Sequence, residues 1–219
     1  MNVELNFPIT MQERLELGPE LVRFPATREE FWALLEVCEY PIEFYDHSII
    51  AMSYESDPHS HIASMILIFL GNTVMDNDHL KVFNSNRPIY SGQGGSVFNP
   101  DASVVLTGGQ KYEYARGMNA EMEPVVVVEV LSKTTRDHDL ENKLPLYKAI
   151  PTVETILYVE NQLPYVTVYT RNAATGKWIN TVYDRLDDSF EVLGKTLSLQ
   201  QIYHKVKFLP KSWPARNGE

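Results

Sequence analysis

Apolar residues recur along this chain at two periods, and the change of period marks the elements. Thr27-Arg28-Glu29-Glu30 is a capping-box pattern followed by Phe31, Leu34, Leu35 and Cys38 in helical phase, which predicts a helix over 27–39. Residues 41–52 alternate around Asp46-His47-Ser48 and predict a hairpin. Ile62, Met65, Ile66, Phe69 and Leu70 predict an amphipathic helix over 59–74. Strands are expected over 80–84, 88–90 and 101–106, with Gly92 to Gly95 and Gly108-Gly109 as loops. Val125 to Val128 are four consecutive valines. Such a β-branched run predicts a strand covered on both faces. A helix over 139–149, strands over 155–160, 165–171 and 177–183, and a short helix over 198–206 complete the order. The fold class is α/β (α+β), with a central mixed β-sheet flanked by helices. Residues 1–26 read as an irregular arm, 27–209 as one domain and 210–219 as a tail.

Composition narrows the function classes. The chain has 219 residues, 44% of them hydrophobic, and a formal charge of -10. Residues 1–60 hold 12 acidic and 3 basic side chains, against 17 and 16 in the remainder. Any surface that meets phosphate is therefore expected in the remainder. Cys38 is the single cysteine, so no intrachain disulfide forms, and its phase makes it a small core residue. There is no apolar run of membrane-spanning length and no secretion signal, so the expected setting is cytoplasmic, without a membrane partner.

The chemistry concentrates at two acids. Glu129 ends the valine strand and Asp101 opens another behind Pro100. A carboxylate is costly to bury uncompensated, and two acids entering a core on neighbouring strands suggest a shared cation, with Mg²⁺ the usual oxygen-bound choice. Plainer readings stand beside this one. Asp101 also suits a turn acid bonding local amides, Glu129 a structural ion pair with Lys143, and Glu43 an exposed hairpin residue. His59 reads as a helix-start residue. Zinc at His59 and His61 is not expected, because alternate helical positions diverge and no cysteine is near. Ser132, Thr134 and Thr135 read as caps of the next helix. Lys205, Lys207, Lys211 and Arg216 read as a solvated tail, with a phosphate patch as the alternative.

An ordered set of residues carries a family resemblance: Ile42-Glu43-Phe44, His59, Pro100-Asp101, Glu129-Val130-Leu131-Ser132, Thr135, Asp139, Lys143 and Tyr147. From about residue 27 to 169 the chain resembles the Uma-two restriction-endonuclease family of the PD-(D/E)XK nuclease superfamily. The resemblance implies a restriction-endonuclease-like sheet and an Mg²⁺-dependent endonuclease (Mn²⁺ as substitute) acting on nucleic acid, in particular DNA. It implies Asp101 and Glu129 as metal ligands, the Val130 carbonyl completing the set, and Glu43 assisting through water or a second ion. The superfamily lysine commonly lies two residues after the second acid, where Leu131 stands. The Uma-two likeness points instead to Lys143, while Lys133 is the rival by strand parity with Glu129. The likeness also expects glycine in the hairpin turn, where His47 stands, and Pro145 interrupts the stretch between Lys143 and Tyr147. A nuclease-fold interaction module without catalysis is the alternative function. A homodimer or higher homo-oligomer, joined through the arm or exposed strands, fits either.

Overall fold

The protein is described from a computed structural model covering residues 7–52, 55–92 and 94–208. Residues 1–6 of the expected arm and the tail 210–219, with Lys211 and Arg216, lie outside the described residues. The first half runs α1 (Met11–Glu16), β1 (Val22–Pro25), α2 (Arg28–Leu35), β2 (Ile42–Tyr45), β3 (Ser48–Ala51) and α3 (Asp57–Val74). Then come β4 (Leu80–Asn84), β5 (Ile89–Tyr90), β6 (Val97–Phe98), β7 (Ala102–Leu106), β8 (Lys111–Ala115), β9 (Met118–Glu121) and β10 (Pro124–Leu131). A π-helical turn (His138–Lys143) runs into α4 (Leu144–Ala149). The chain ends with β11 (Thr155–Glu160), β12 (Val166–Arg171), β13 (Trp178–Tyr183), β14 (Ser189–Val192), β15 (Lys195–Ser198) and α5 (Leu199–Ile202).

These strands form two large sheets rather than one. A six-stranded sheet has the order β13-β12-β11-β10-β7-β4, with β10 and β11 parallel and its other neighbours antiparallel. Every position of β10 is buried, as its valines require. Val126, Val128 and Val130 face α3, whose Ile62, Ile66, Leu70 and Val74 repeat every four residues and supply the matching stripe. Each such buried side chain contributes roughly 1.5–3 kcal/mol. Val127 and Leu131 face the other way, toward α4. The second sheet has the order β1-β3-β2-β6-β5-β9-β8 and shares a core with α2.

Local differences from expectation have local causes. Thr27 does cap α2 with a complete capping box, but the helix ends at Leu35, where the Val37 and Cys38 amides turn back to the Leu34 carbonyl. Cys38 therefore lies past the helix and is half-buried. Residues 7–26 are not irregular: α1 has its own capping box at Thr10, and β1 pairs with β3. Arg14 ties α1 down, donating to the carbonyls of Met52, Gly18 and Glu20 at 2.6, 2.7 and 2.9 Å. No helix among the described residues is long and apolar enough to cross a membrane.

The β2–β3 hairpin turns on Asp46 and His47, with φ of 47° and 53°. Both lie in the left-handed region, the conformation of a tight hairpin turn that favours glycine at its second position. Replacing His47 by glycine is expected to raise the unfolding free energy by about 1 kcal/mol. Urea unfolding measures it, and an unchanged or lower midpoint contradicts the strain assigned to His47.

Candidate functional site

Strand parity carries Glu43 inward. In β2, Ile42 and Phe44 enter the core shared with α2, which sends Glu43 and Tyr45 to the opposite face, beside α4. Glu43 is 0% exposed, so the exposed-hairpin reading fails. Its Oε1 accepts from the Asn99 amide at 2.8 Å and lies 2.9 Å from Lys143 Nζ. Its Oε2 lies 2.9 Å from His138 Nε2. The Asn142 side-chain amide, 2.9 Å from His138 Nδ1, donates to that nitrogen, which leaves the ring proton on Nε2 and aimed at Glu43.

Glu129 shares the face of Val127 and Leu131. Its Oε1 accepts from the Tyr147 hydroxyl at 2.7 Å and from Lys143 Nζ at 3.2 Å. Tyr147 thus braces the acid. Asp101 immediately precedes β7, where Ala102 pairs with Val128 of β10. This brings Asp101 to the end of β10 that carries Glu129, where its charge acts on that acid. Asp101 Oδ2 accepts from the Val130 amide at 2.6 Å.

Lys143 is where these parts meet. Its Nζ lies 2.9 Å from Glu43, 3.0 Å from Asp139 Oδ1 and 3.2 Å from Glu129. The Asp139 oxygen is off the hydrogen-bond line, so charge attraction, which depends on separation alone, is what joins that pair. A wide turn aims the lysine. The Leu144 amide donates to the Asp139 carbonyl five residues back, and the Tyr158 hydroxyl bonds the same carbonyl at 2.6 Å. Pro145, which has no amide hydrogen to give, falls in the first turn of α4, where none is needed. Ahead of this turn the Ser132 hydroxyl accepts from the Thr135 amide at 3.2 Å.

Asp101, Glu129, Asp139 and Lys143 line one cavity of about 280 Å³, with the Val130 backbone in its wall and exposed Lys133 at its rim. Glu43 stands behind Lys143, with both oxygens engaged. Glu55 and His59 also line the cavity; the sequence predicts His59 as a helix-start residue within the family pattern and does not single out Glu55. His59 is buried with Nε2 3.4 Å from Asp101 Oδ2 and Nδ1 3.6 Å from Glu55 Oε2. His138 was passed over as well. Its signal lay in the sequence: His138/Asn142 and Asp139/Lys143 are both pairs four apart, the spacing that meets on a helix.

The charges do not balance. Glu43, Glu129 and Asp139 are buried and Asp101 half-buried, against the buried Lys143 ammonium and the buried His59 ring. Burial raises Glu43, yet Lys143, His138 and the Asn99 amide together bring its carboxyl below the ordinary range. Burial raises Glu129 well above that range. Lys143 opposes the rise, but Asp139, Asp101 and Glu43 reinforce it. Asp139 is raised for the same reasons, burial first and Glu43 repulsion with it, against Lys143. Burial lowers Lys143, but the attraction of Asp139, Glu129 and Glu43 outweighs it and keeps the amine protonated. Burial also lowers His59, while Asp101 and Glu55 overcome that and push it up to about 10. Two carboxylates in one cavity wall with surplus negative charge suit a hard divalent cation. Bonds to Glu129 from described residues fall on Oε1, so Oε2 is the oxygen available to an ion.

Comparison with known proteins gives the family and the fold. Residues 28–202 match Uma2, a family described as "Putative restriction endonuclease". A Synechocystis sp. (strain ATCC 27184 / PCC 6803 / Kazusa) protein, "Uncharacterized protein slr1290", is 27% identical over 169 residues, covering 76% of this chain and 85% of that protein. The crystal structure of "a putative nuclease belonging to DUF820" from Anabaena variabilis ATCC 29413 matches with a TM-score of 0.59 at 18% identity. That match covers 77% of this chain and 96% of the other, and is a likeness of fold.

Glu129 makes the site's pH dependence testable. An acid whose folded pKa is raised costs nothing below its unfolded pKa, and stability falls as pH rises from there toward the folded value. In protein stripped of divalent ions, Glu129→Gln is therefore expected to raise the unfolding free energy near pH 8, with the gain gone near pH 4. Urea unfolding at the two pH values checks it. A variant less stable than the parent at the higher pH would mean that the carboxylate is adequately compensated.

Proposed function

We propose that this chain, which belongs to the Uma2 family and has a restriction-endonuclease-like fold, hydrolyses phosphodiester bonds of nucleic acid, with DNA as substrate and Mg²⁺ as cofactor, replaceable by Mn²⁺. One observation carries the reading. Asp101, Glu129 and Lys143, from the residue before β7, from β10 and from a helical turn, converge on one cavity whose carboxylates exceed its cations. In this reading Asp101 and Glu129, with the Val130 carbonyl, hold the ion. When bound, it supplies positive charge to the phosphate oxygens and acidifies a water.

The chain's own residues set the stage for that chemistry. The Val130 amide holds Asp101 Oδ2, while Tyr147 and Lys143 hold Glu129 Oε1. Each carboxylate is thereby oriented with one oxygen toward the cavity. Lys143 stays protonated, so its part is electrostatic: it donates to the attacking oxygen or the phosphate and stabilises negative charge as it develops. Glu43 is a positioning residue, which braces Lys143 and His138 and lies behind the cavity wall. We prefer Lys143 to Lys133 because only Lys143 contacts Glu129 in the buried network. A homodimer remains part of the proposal, and edge strand β13, which leaves Ile179 and Val182 exposed, supports it.

Purified protein is expected to cleave DNA when Mg²⁺ or Mn²⁺ is added. Asp101→Asn, Glu129→Gln and Lys143→Met should each lose on the order of 100-fold or more in rate. Cleavage assays on DNA and RNA in parallel, with melting curves as a folding control, measure this. Equal rates in the Asp101 and Glu129 variants overturn the assignment, and preferential cleavage of RNA overturns the substrate. Ion binding without cleavage of either nucleic acid favours the interaction module.

A further inference from the structure

The first turn of α3 brings a nitrogen donor to the same cavity. His59 is only 7% exposed, and its Nδ1 has no hydrogen-bond partner among the described residues. The carboxylates at its two nitrogens, 3.4 and 3.6 Å away, stand beyond good hydrogen-bond range. One donor atom each from Glu55, His59 and Asp101 lies within 4.8 Å of the others. The 3.4 Å between His59 Nε2 and Asp101 Oδ2 has a natural reading. Two donors each about 2.1 Å from one ion, at a tetrahedral angle, stand about 3.4 Å apart.

We infer that Glu55, His59 and Asp101 form a second cation site, taking an ion of the Mn²⁺ to Zn²⁺ series and sharing Asp101 with the Mg²⁺ site. An imidazole nitrogen favours such ions, whereas Mg²⁺ favours oxygen and retains its waters. Three protein donors, one of them on exposed Glu55, leave a coordination position open toward the cavity. The site does not use the His59/His61 pair. His61 Nε2 instead sits 2.7 Å from the His204 carbonyl. Glu55 and Asp101 take the places that a second histidine and a cysteine would otherwise fill. The inference rests on the proposed role of Asp101 as an ion ligand, and Glu129, which belongs to the Mg²⁺ site alone, keeps the two readings separable.

Pulsed electron paramagnetic resonance of Mn²⁺ added to the full-length, chelator-treated protein reads nitrogen ligation directly. Nitrogen coupling is expected in the parent and in Glu129→Gln, and its loss in His59→Gln. Calorimetry should show His59→Gln binding Mn²⁺ about tenfold or more weakly while Mg²⁺ binding is unchanged. Absence of nitrogen coupling in the parent, or its survival in His59→Gln, overturns the site and leaves His59 as an ion-pair partner of two acids. Should His59→Gln fail to fold, Glu55→Gln at its exposed position carries the test: a tenfold loss of Mn²⁺ affinity supports the site, and unchanged affinity overturns it. Failure of the Mg²⁺ reading alone appears differently, as Mg²⁺ binding that is absent or indifferent to Glu129→Gln while nitrogen-coupled Mn²⁺ persists.

Discussion

The ammonium of Lys143, set among three buried carboxylates, is the interaction on which the rest depends. It joins the β2 hairpin through Glu43, the central strand β10 through Glu129, and its own helical turn through Asp139. No backbone ladder links β2 to β10, because they lie in different sheets. The lysine is therefore a polar bridge between two sheets, set beside the apolar core in which Tyr45, Ile89 and Phe98 of one meet Val127 and Leu131 of the other. Buried ion pairs contribute little net stability compared with apolar packing, but breaking one strands an uncompensated charge. What such a bridge supplies is position: it sets where the hairpin's acid stands relative to the sheet's acid.

The same ammonium acts unequally on its partners, and the inequality gives the site a direction. Glu43 also receives the Asn99 amide and the His138 ring, so its charge is met from several sides. Glu129 receives one neutral hydroxyl besides the lysine and is repelled by Asp139 and Asp101. Negative charge is thus satisfied behind the lysine and left in surplus in front of it, on the cavity wall. A single cation placed between unequal acids makes one of them a structural anchor and leaves the other needing a further positive partner.

Much of the scaffold was legible because apolar spacing reports burial. The valine run gave β10, the four-residue stripe gave α3, and the Thr27 capping box gave the start of α2. The missed strands carried no such signal. β8 (Lys111–Ala115) and β9 (Met118–Glu121) are short and polar, β6 has two residues, and β14 and β15 form a hairpin of their own. The division into two sheets was illegible for a different reason, since periodicity reports which residues are buried and not against what. Asp101, Glu129 and Lys143 were found through strand ends and family likeness, whereas Glu55 lies outside any patterned element. His59 was weighed against His61, its neighbour in sequence, while its partners in space lie at the start of β7 and in the loop before α3. Sequence distance concealed that grouping.

The register of β7 against β10 explains why a cation is the natural complement of this site. With Ala102 paired to Val128, Asp101 just before β7 comes to the end of β10 that carries Glu129, and like charges brought together on neighbouring strands destabilise a sheet. Apolar residues at both positions would extend the packed face of Val127 and Leu131 and remove the repulsion. Instead, Asp101 is tied to the Val130 amide and Glu129 to Tyr147, bonds that fix each acid without neutralising it. Donors that orient a carboxylate but leave its charge standing are of small use to a scaffold. They are of direct use to a site that must present two negative oxygens to the same divalent ion, and sites of this kind are commonly held at some expense of stability.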